Sequence, residues 1–459
     1  MLSKTRKTGG SDGRAQTFVD YSIKGLFLAV MLGHVGIVNA QSNSRKAPAS
    51  TDADLISTAA PLSQGCTSFE TALMLSVERS PNVSASSARV DRAQSEATIA
   101  RSLSRPQLSV FGRTQTGDGG LTGNALENQI GLRASQRIFD FGDARFARDA
   151  SKARINSAME SRLSVKTQTV RQTALSYLSA LEALARLDII KDRETFFQKL
   201  LVANQSALEN GYVTRSQVAA ISANLADAQA ERIEFEFLID RFTHEVAIDI
   251  DEPMAICAGQ VPSFSFSELE FDDTDVEAAL FNNPDIKRAN EDVDALDSDR
   301  KRERLNRTPV IEAVGITSYS YIDQRNEWEY RDRIGVDVSV PLFSGSALSA
   351  RVRGAEADLS RARFERDQIR RDLYEDITLT HRDLLSIWAQ YERRKHVEAM
   401  QLEKFEAAQL EFESGMKTLP DLIEDRLEYE QSRLVTESLK YERLRQQVNL
   451  MALTGRLLD

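Results

Sequence analysis

Six side chains in this 459-residue sequence have the intrinsic capacity for redox, nucleophilic or metal chemistry of the sharper kind: Cys66 and Cys257, and His34, His244, His381 and His396. The last three histidines fall in stretches of helical pattern. No cysteine or carboxylate stands near them at a metal-ligand spacing that rises above the general charge background. The sequence also lacks a phosphate-cradling Walker loop, a dinucleotide fingerprint and a G-x-S-x-G elbow. No catalytic residue, metal or cofactor is therefore expected, and the chain is not read as an enzyme. The two cysteines carry a different chemistry: in an oxidising compartment an even count favours a Cys66–Cys257 disulfide. Among the carboxylates, Asp421 directly follows Pro420 where a helix restarts, a position the helix dipole favours for an acid. Glu424 lies one turn further on.

The compartment is read from the N-terminus. A basic stretch (Lys4, Arg6, Lys7, Arg14, Lys24) precedes the apolar run Gly25 to Val38, and Val38-Asn39-Ala40 fits the small-residue rule for signal cleavage. Residues 1–40 are taken as a signal peptide. The run is interrupted by His34 and falls short of the roughly 20 apolar residues of a spanning helix. Neither cysteine directly follows it, so a lipid-anchored start is not expected. Residues 1–40 hold five Lys/Arg and two Asp, so their removal takes the net charge from −11 to −14. A nucleic-acid partner is excluded on this ground, since phosphate binding rests on a basic surface. No other stretch is apolar enough to cross a membrane as a helix. The exported chain is then either soluble or inserted as β-strands, the other structure that satisfies its backbone in lipid.

The sequence repeats itself. Ser80-Pro81-Asn82-Val83 returns as Asn283-Pro284-Asp285-Ile286, Arg105-Pro106 as Thr308-Pro309, and Arg137-Ile138-Phe139-Asp140-Phe141-Gly142 as Pro341-Leu342-Phe343-Ser344-Gly345. Glu209-Asn210-Gly211-Tyr212-Val213-Thr214 returns as Glu413-Ser414-Gly415-Met416-Lys417-Thr418. The offset stays at 203 to 204 residues, which marks an internal duplication. The expected layout is an N-terminal segment 41–68, a first repeat 69–252, a linker 253–273, a second repeat 274–455 and a tail 456–459.

Each repeat reads as helix, strand, strand, long helix, turn, helix. Ile334, Val336, Val338, Val340 and Leu342 alternate with Gly335, Asp337, Ser339 and Pro341, a period of two. β-hairpins are expected at about 107–138 and 310–342, with strands near the 9 to 11 residues of a tilted membrane strand. Periodicity alone fits a soluble hairpin with one wet face as well. Leu348, Val352, Ala355, Leu359, Ala362, Arg366, Ile369 and Leu373 step by four and three, a heptad-like seam. No proline occurs between Pro106 and Pro253 or between Pro341 and Pro420, so helices can run unbroken to turns at Gly211 and Gly415, which supply the left-handed residue past a helix end. Four strands cannot close a barrel, so membrane insertion would require several copies to share one.

Signal, duplication, paired hairpins, long helical hairpins and G-x-x-T turns, in this order and spacing from about Phe69 to Gly455, resemble the TolC family of outer-membrane efflux proteins. The resemblance implies a mainly α fold with membrane β-hairpins: tandem helical hairpins forming a periplasmic tunnel, and four strands per chain contributing to a twelve-stranded barrel in a homotrimer. It implies a passive exit duct in the Gram-negative outer membrane, in contact with outer-membrane lipid and working with a periplasmic adaptor and an inner-membrane pump of ABC or RND type. It further implies that Asp421 and Glu424 ring a periplasmic constriction, and that Phe412 and Lys417, with Ser216 and Gln217 in the first repeat, link neighbouring coils at the closed end. Gln217 stands where the family has an acidic latch partner, so the latch ion pair is not expected in its usual form. Type I protein secretion and small-molecule efflux use the same duct, and the turns do not separate them. The reading from another class is a periplasmic coiled-coil scaffold or adaptor that forms no channel.

Overall fold

The computed structural model describes residues 65–118, 124–264, 271–322, 327–342 and 345–458. The expected signal peptide at 1–40, residues 41–64, the landmark Phe343 and the tips of the two strand connections lie outside them.

The architecture is one plan executed twice. Helices α1 (Phe69–Arg79) and α2 (Pro81–Ser102) lead into strands β1 (Gln107–Asp118) and β2 (Asn124–Phe139), then α3 (Asp143–Glu209) and α4 (Arg215–Ile250). The second round is α5 (Asp273–Asn282), α6 (Pro284–Leu305), β3 (Val310–Ile322), β4 (Glu327–Ser339), α7 (Ala347–Glu413) and α8 (Leu419–Thr454). The long helices α3 and α7 are both 67 residues, and the return helices α4 and α8 are both 36. At 1.5 Å per residue each long helix runs about 100 Å.

The single leading helix expected in each copy is two helices in the structure. Ser80 and Asn283 adopt extended backbone (ψ 123° and 130°) because the following proline ring excludes the helical region from its predecessor. Both turn the interruption into a start: Pro81 and Pro284 occupy the first helical turn, where no N–H is missed, and the Ser80 and Asn283 side chains cap it.

The four strands form one antiparallel sheet in the order β1-β2-β3-β4, so the two repeats join through β2 and β3. They are 12, 16, 13 and 13 residues long, beyond the expected 9 to 11, and so extend past the thickness of a hydrocarbon layer. At the exit of β2 the chain bends sharply. Phe141 and Gly142 take positive φ (52° and 106°), and the Asp140 carboxylate accepts the Ala144 N–H at 2.9 Å to open α3. Arg137 and Arg302 both reach Asp143, at 2.8 and 2.9 Å, tying the strand to α3 and α6.

Along α3, the α2 helix covers the strand-proximal part and α4 the distal part. The core between them is thin and rich in small residues, with Ala147, Ala150, Ala174, Ala180 and Ala183 buried. In the gap between α2 and α4, the buried Tyr177 donates to the Thr67 carbonyl at 2.8 Å and accepts the Cys257 N–H at 3.4 Å. Thr67 and Ile256 form a parallel bridge there, beside a disulfide joining Cys66 and Cys257 (Cα separation 4.8 Å).

Candidate functional site

Two ends of the molecule carry the features that bear on function: the turns of the helical hairpins and the sheet.

At the turns, Gly211 (φ 76°) and Gly415 (φ 78°) close Schellman-type ends, with Tyr212 and Met416 N–H groups returning to the Ala207 and Glu411 carbonyls at 2.9 and 2.8 Å. Thr214 and Thr418 then cap the return helices. Gln217 Oε1 accepts both the Thr214 N–H (2.8 Å) and its hydroxyl (3.1 Å), a reciprocal capping box. Asp421, at the equivalent position of the second repeat, accepts the Thr418 hydroxyl at 2.6 Å. Ser216, Asp421 and Glu424 are exposed, the two acids on one face of the first turns of α8.

Lys417 pairs with Asp425 and lies 4.0 Å from Glu411, all within its own hairpin. Asp425 is also held by Lys404 at 2.9 Å, and Lys404 reaches Glu428 at 2.6 Å. Burial by itself would raise the Asp425 pKa, but hydrogen bonds from Lys417 and Lys404 outweigh it and hold the carboxyl below its ordinary value. Phe412 packs with Phe197 and Ile221 of the first hairpin and Leu419 and Ile423 of the second, so it lies between the two hairpins of one chain.

Further along the bundle is a group the sequence reading missed. Glu430, 1% exposed, accepts from Arg426 Nε at 2.7 Å and lies 3.8 Å from Arg193 Nε. Arg193 in turn reaches Glu231 at 2.7 Å, and the Arg426 guanidinium lies 5.1 and 5.2 Å from the ring centres of Phe196 and Phe405. Burial pushes the Glu430 carboxyl up to about 7 against the pull of Arg426 and Arg193. This cluster joins α3 and α4 to α7 and α8. In the sequence it is hidden within a uniformly charged helix; its one local signal is the Arg426–Glu430 spacing of four.

The sheet has two unlike faces. By the strand register Leu108, Ala134, Gly315 and Ile334 form one row, followed outward by Val110, Leu132, Thr317 and Asp332, then Gly112, Ile130, Tyr319 and Tyr330. This face is mostly apolar, with Thr114, Asn128, Gln136, Thr317 and Asp332 as its polar positions, and nothing among the described residues covers it: Ile334 is 93% exposed. Toward the loop end it carries paired rings, Tyr319 with Tyr330 (5.2 Å) and Tyr321 with Trp328 (5.4 Å). The opposite face is polar. Val314, Ser318 and Ser320 of β3 all point to it and are buried, which shows that the sheet curls toward its polar side. The outer strands β1 and β4 each keep one unpaired edge.

Among the described residues no group of side chains is arranged to hold a metal ion, and no helix is long and apolar enough to cross a membrane.

Comparison with known proteins agrees with this geometry. The sequence matches the outer membrane efflux protein family over residues 73–240 and 276–456, one stretch per repeat. It is 24% identical over 214 residues to the proteases secretion protein PrtF of Dickeya chrysanthemi, covering 44% of this chain and 46% of that one. It is 23% identical over 353 residues to the outer membrane efflux protein BepC of Brucella suis, covering 74% and 73%. The chain thus spans about half the length of curated relatives such as PrtF. The fold matches the CmeC outer membrane channel of Campylobacter jejuni with a TM-score of 0.74 at 15% identity, covering 85% and 86%. With both repeats matched in sequence, and a mainly helical fold in which four strands form the sheet, the chain belongs to the outer membrane efflux protein family.

Proposed function

We propose that this protein is the outer-membrane exit duct of a tripartite export system. Three copies share one barrel, twelve strands in all, with twelve helices continuing below it as a periplasmic tunnel. The single observation that carries the reading is the sheet: an apolar face with aromatic rings at its loop end, a curled polar face and two open edges. An apolar outer face with an interfacial aromatic band fits lipid, and a polar concave face fits water. Open edges inside a bilayer must be paired, so β1 of one copy meets β4 of the next.

The duct does no chemistry on its cargo. An inner-membrane pump of ABC or RND type and a periplasmic adaptor supply energy and substrate, entering at the turn end of the helices. PrtF is named for protease secretion and BepC for efflux, and the same duct serves either cargo. At the closed end Asp421 and Glu424 form the constriction, where three copies of two carboxylates focus cations. Phe412, Lys417, Ser216 and Gln217 lie where coils meet. Single-channel recording in planar bilayers tests the reading: stable conductance steps from the purified protein are expected, whereas a periplasmic scaffold would give none.

A further inference from the structure

The polar face of the sheet is not uniformly polar. Arg113, Arg133, Arg331 and Arg333 all lie on it, within three successive cross-strand rows: Ser109–Arg133–Ile316–Arg333, then Phe111–Gly131–Ser318–Arg331, then Arg113–Gln129–Ser320–Glu329. Glu329 is the one acid of those rows, and it pairs with Arg331 at 2.7 Å. Toward the helices the next row is neutral, and the one after it, Arg137–Glu312–Asp337, is acidic on balance. The arginines therefore form a belt rather than a scatter. With rows two residues apart, it spans about 13 Å along the strands.

The floor of the belt is apolar and low. Phe111 lies across Gly131, where a Cβ would come within 2.8 Å of the ring and 2.6 Å of the Thr317 carbonyl oxygen. Glycine is thus required for the ring to lie flat against the wall. The result is a shallow recess with Phe111 and Ile316 at its base and guanidinium groups around it.

We infer that this belt is a binding site for acidic polypeptide segments in transit through the barrel. The inference rests on the duct reading, in which this face lines the lumen and three copies bring twelve arginines together. A small monovalent anion needs a single guanidinium. Guanidiniums at three heights over an apolar floor instead match an extended chain that presents several carboxylates and apolar side chains in sequence. The belt is opposite in sign to Asp421 and Glu424 at the other end of the tunnel, so the two ends of the duct select differently.

The test uses the purified full-length protein in planar bilayers, with poly-glutamate added on the barrel side. Poly-glutamate is expected to block conductance where poly-lysine of equal length does not, and block should weaken as KCl rises. Arg133→Gln with Arg333→Gln should weaken it about tenfold while the variant still opens stable conductance steps of its own amplitude, and Arg133→Lys with Arg333→Lys should restore much of it. Unchanged block in the glutamine variant overturns the site. Equal, arginine-dependent block by citrate at matched charge overturns the polypeptide assignment in favour of small anions. Absence of any conductance from the unmodified protein defeats the duct reading itself and the inference with it.

Discussion

Gln217 and Asp421 occupy the same position in the two repeats, third residue of the return helix, and each turns back onto the threonine that caps it, Gln217 to Thr214 N at 2.8 Å and Asp421 to the Thr418 hydroxyl at 2.6 Å. The duplication has kept the cap and divided the charge. The turn of one repeat carries an amide where the other carries a carboxylate, so a symmetric assembly has one charged and one neutral hairpin per copy at this level. Thr214 engages the Gln217 carbonyl oxygen, leaving its amide to donate elsewhere.

Because Asp421 accepts the Thr418 hydroxyl and bears charge at once, the two roles need separate variants. Asp421→Asn with Glu424→Gln keeps side-chain acceptors at the cap and removes the charges. Block of the channel by multivalent cations should weaken in this variant with its melting temperature nearly unchanged, whereas Asp421→Ala should also cost about 0.5 to 1 kcal/mol of stability from the lost hydrogen bond to the Thr418 hydroxyl. Unchanged cation block would remove both acids from the constriction.

Glu430 gives the bundle a pH dependence. Its folded pKa, about 7, lies above the ordinary 4.5, so the folded protein binds this proton more readily than the unfolded chain. Stability from this group is therefore greatest below pH 4.5 and falls as pH rises to about 7, by up to about 3 kcal/mol per chain. Thermal unfolding followed between pH 5 and 8 should show a smaller alkaline loss for Glu430→Gln than for the unmodified protein. Parallel pH profiles would contradict the assignment.

The disulfide closes a loop of 191 residues around the first repeat. Chain-entropy reasoning sets an upper figure of about 5 kcal/mol for its contribution. Without reductant, intact-mass analysis of the denatured protein should find no alkylatable thiol. Cys66→Ser with Cys257→Ser should lower the melting temperature by several degrees, and a shift within error would mean that the Tyr177 hydrogen bonds and the Phe69 and Val246 packing hold this junction without the bridge.

The two sheet faces predict opposite tolerance. Ile334→Arg places a charge on the uncovered apolar face and should cost about 2 to 4 kcal/mol if that face meets the hydrocarbon layer. It should sharply reduce recovery of the protein in the outer-membrane fraction. Arg333→Gln, one residue away on the other face, should leave recovery unchanged. Equal recovery of both variants would argue against a lipid-facing side.

Much of this was legible in the sequence because it is carried by local rules. The alternation of Ile334, Val336 and Val338 sets the strand, the glycines at 211 and 415 end the long helices, and the constant offset exposes the repeat. The break between α1 and α2 follows from Pro81, whose ring excludes the helical region from Ser80. What pattern could not reveal depends on which faces meet. Arg426, Glu430 and Arg193 are ordinary charges in a charged helix until α3 and α8 pack together and bury them. Asp425 differs from the exposed Asp421 and Glu424 only in pointing toward Lys404 and Lys417. The arginine belt needed the register, since Arg113, Arg133 and Arg333 come from three strands and are aligned by pairing alone.

In the proposed duct, four strands per chain close a barrel only when three chains share it. Native mass spectrometry of the protein extracted from the outer membrane in detergent measures this directly. An assembly of three processed chains that dissociates on heating is expected; a monomer, a dimer or a soluble periplasmic form would rule out the shared barrel.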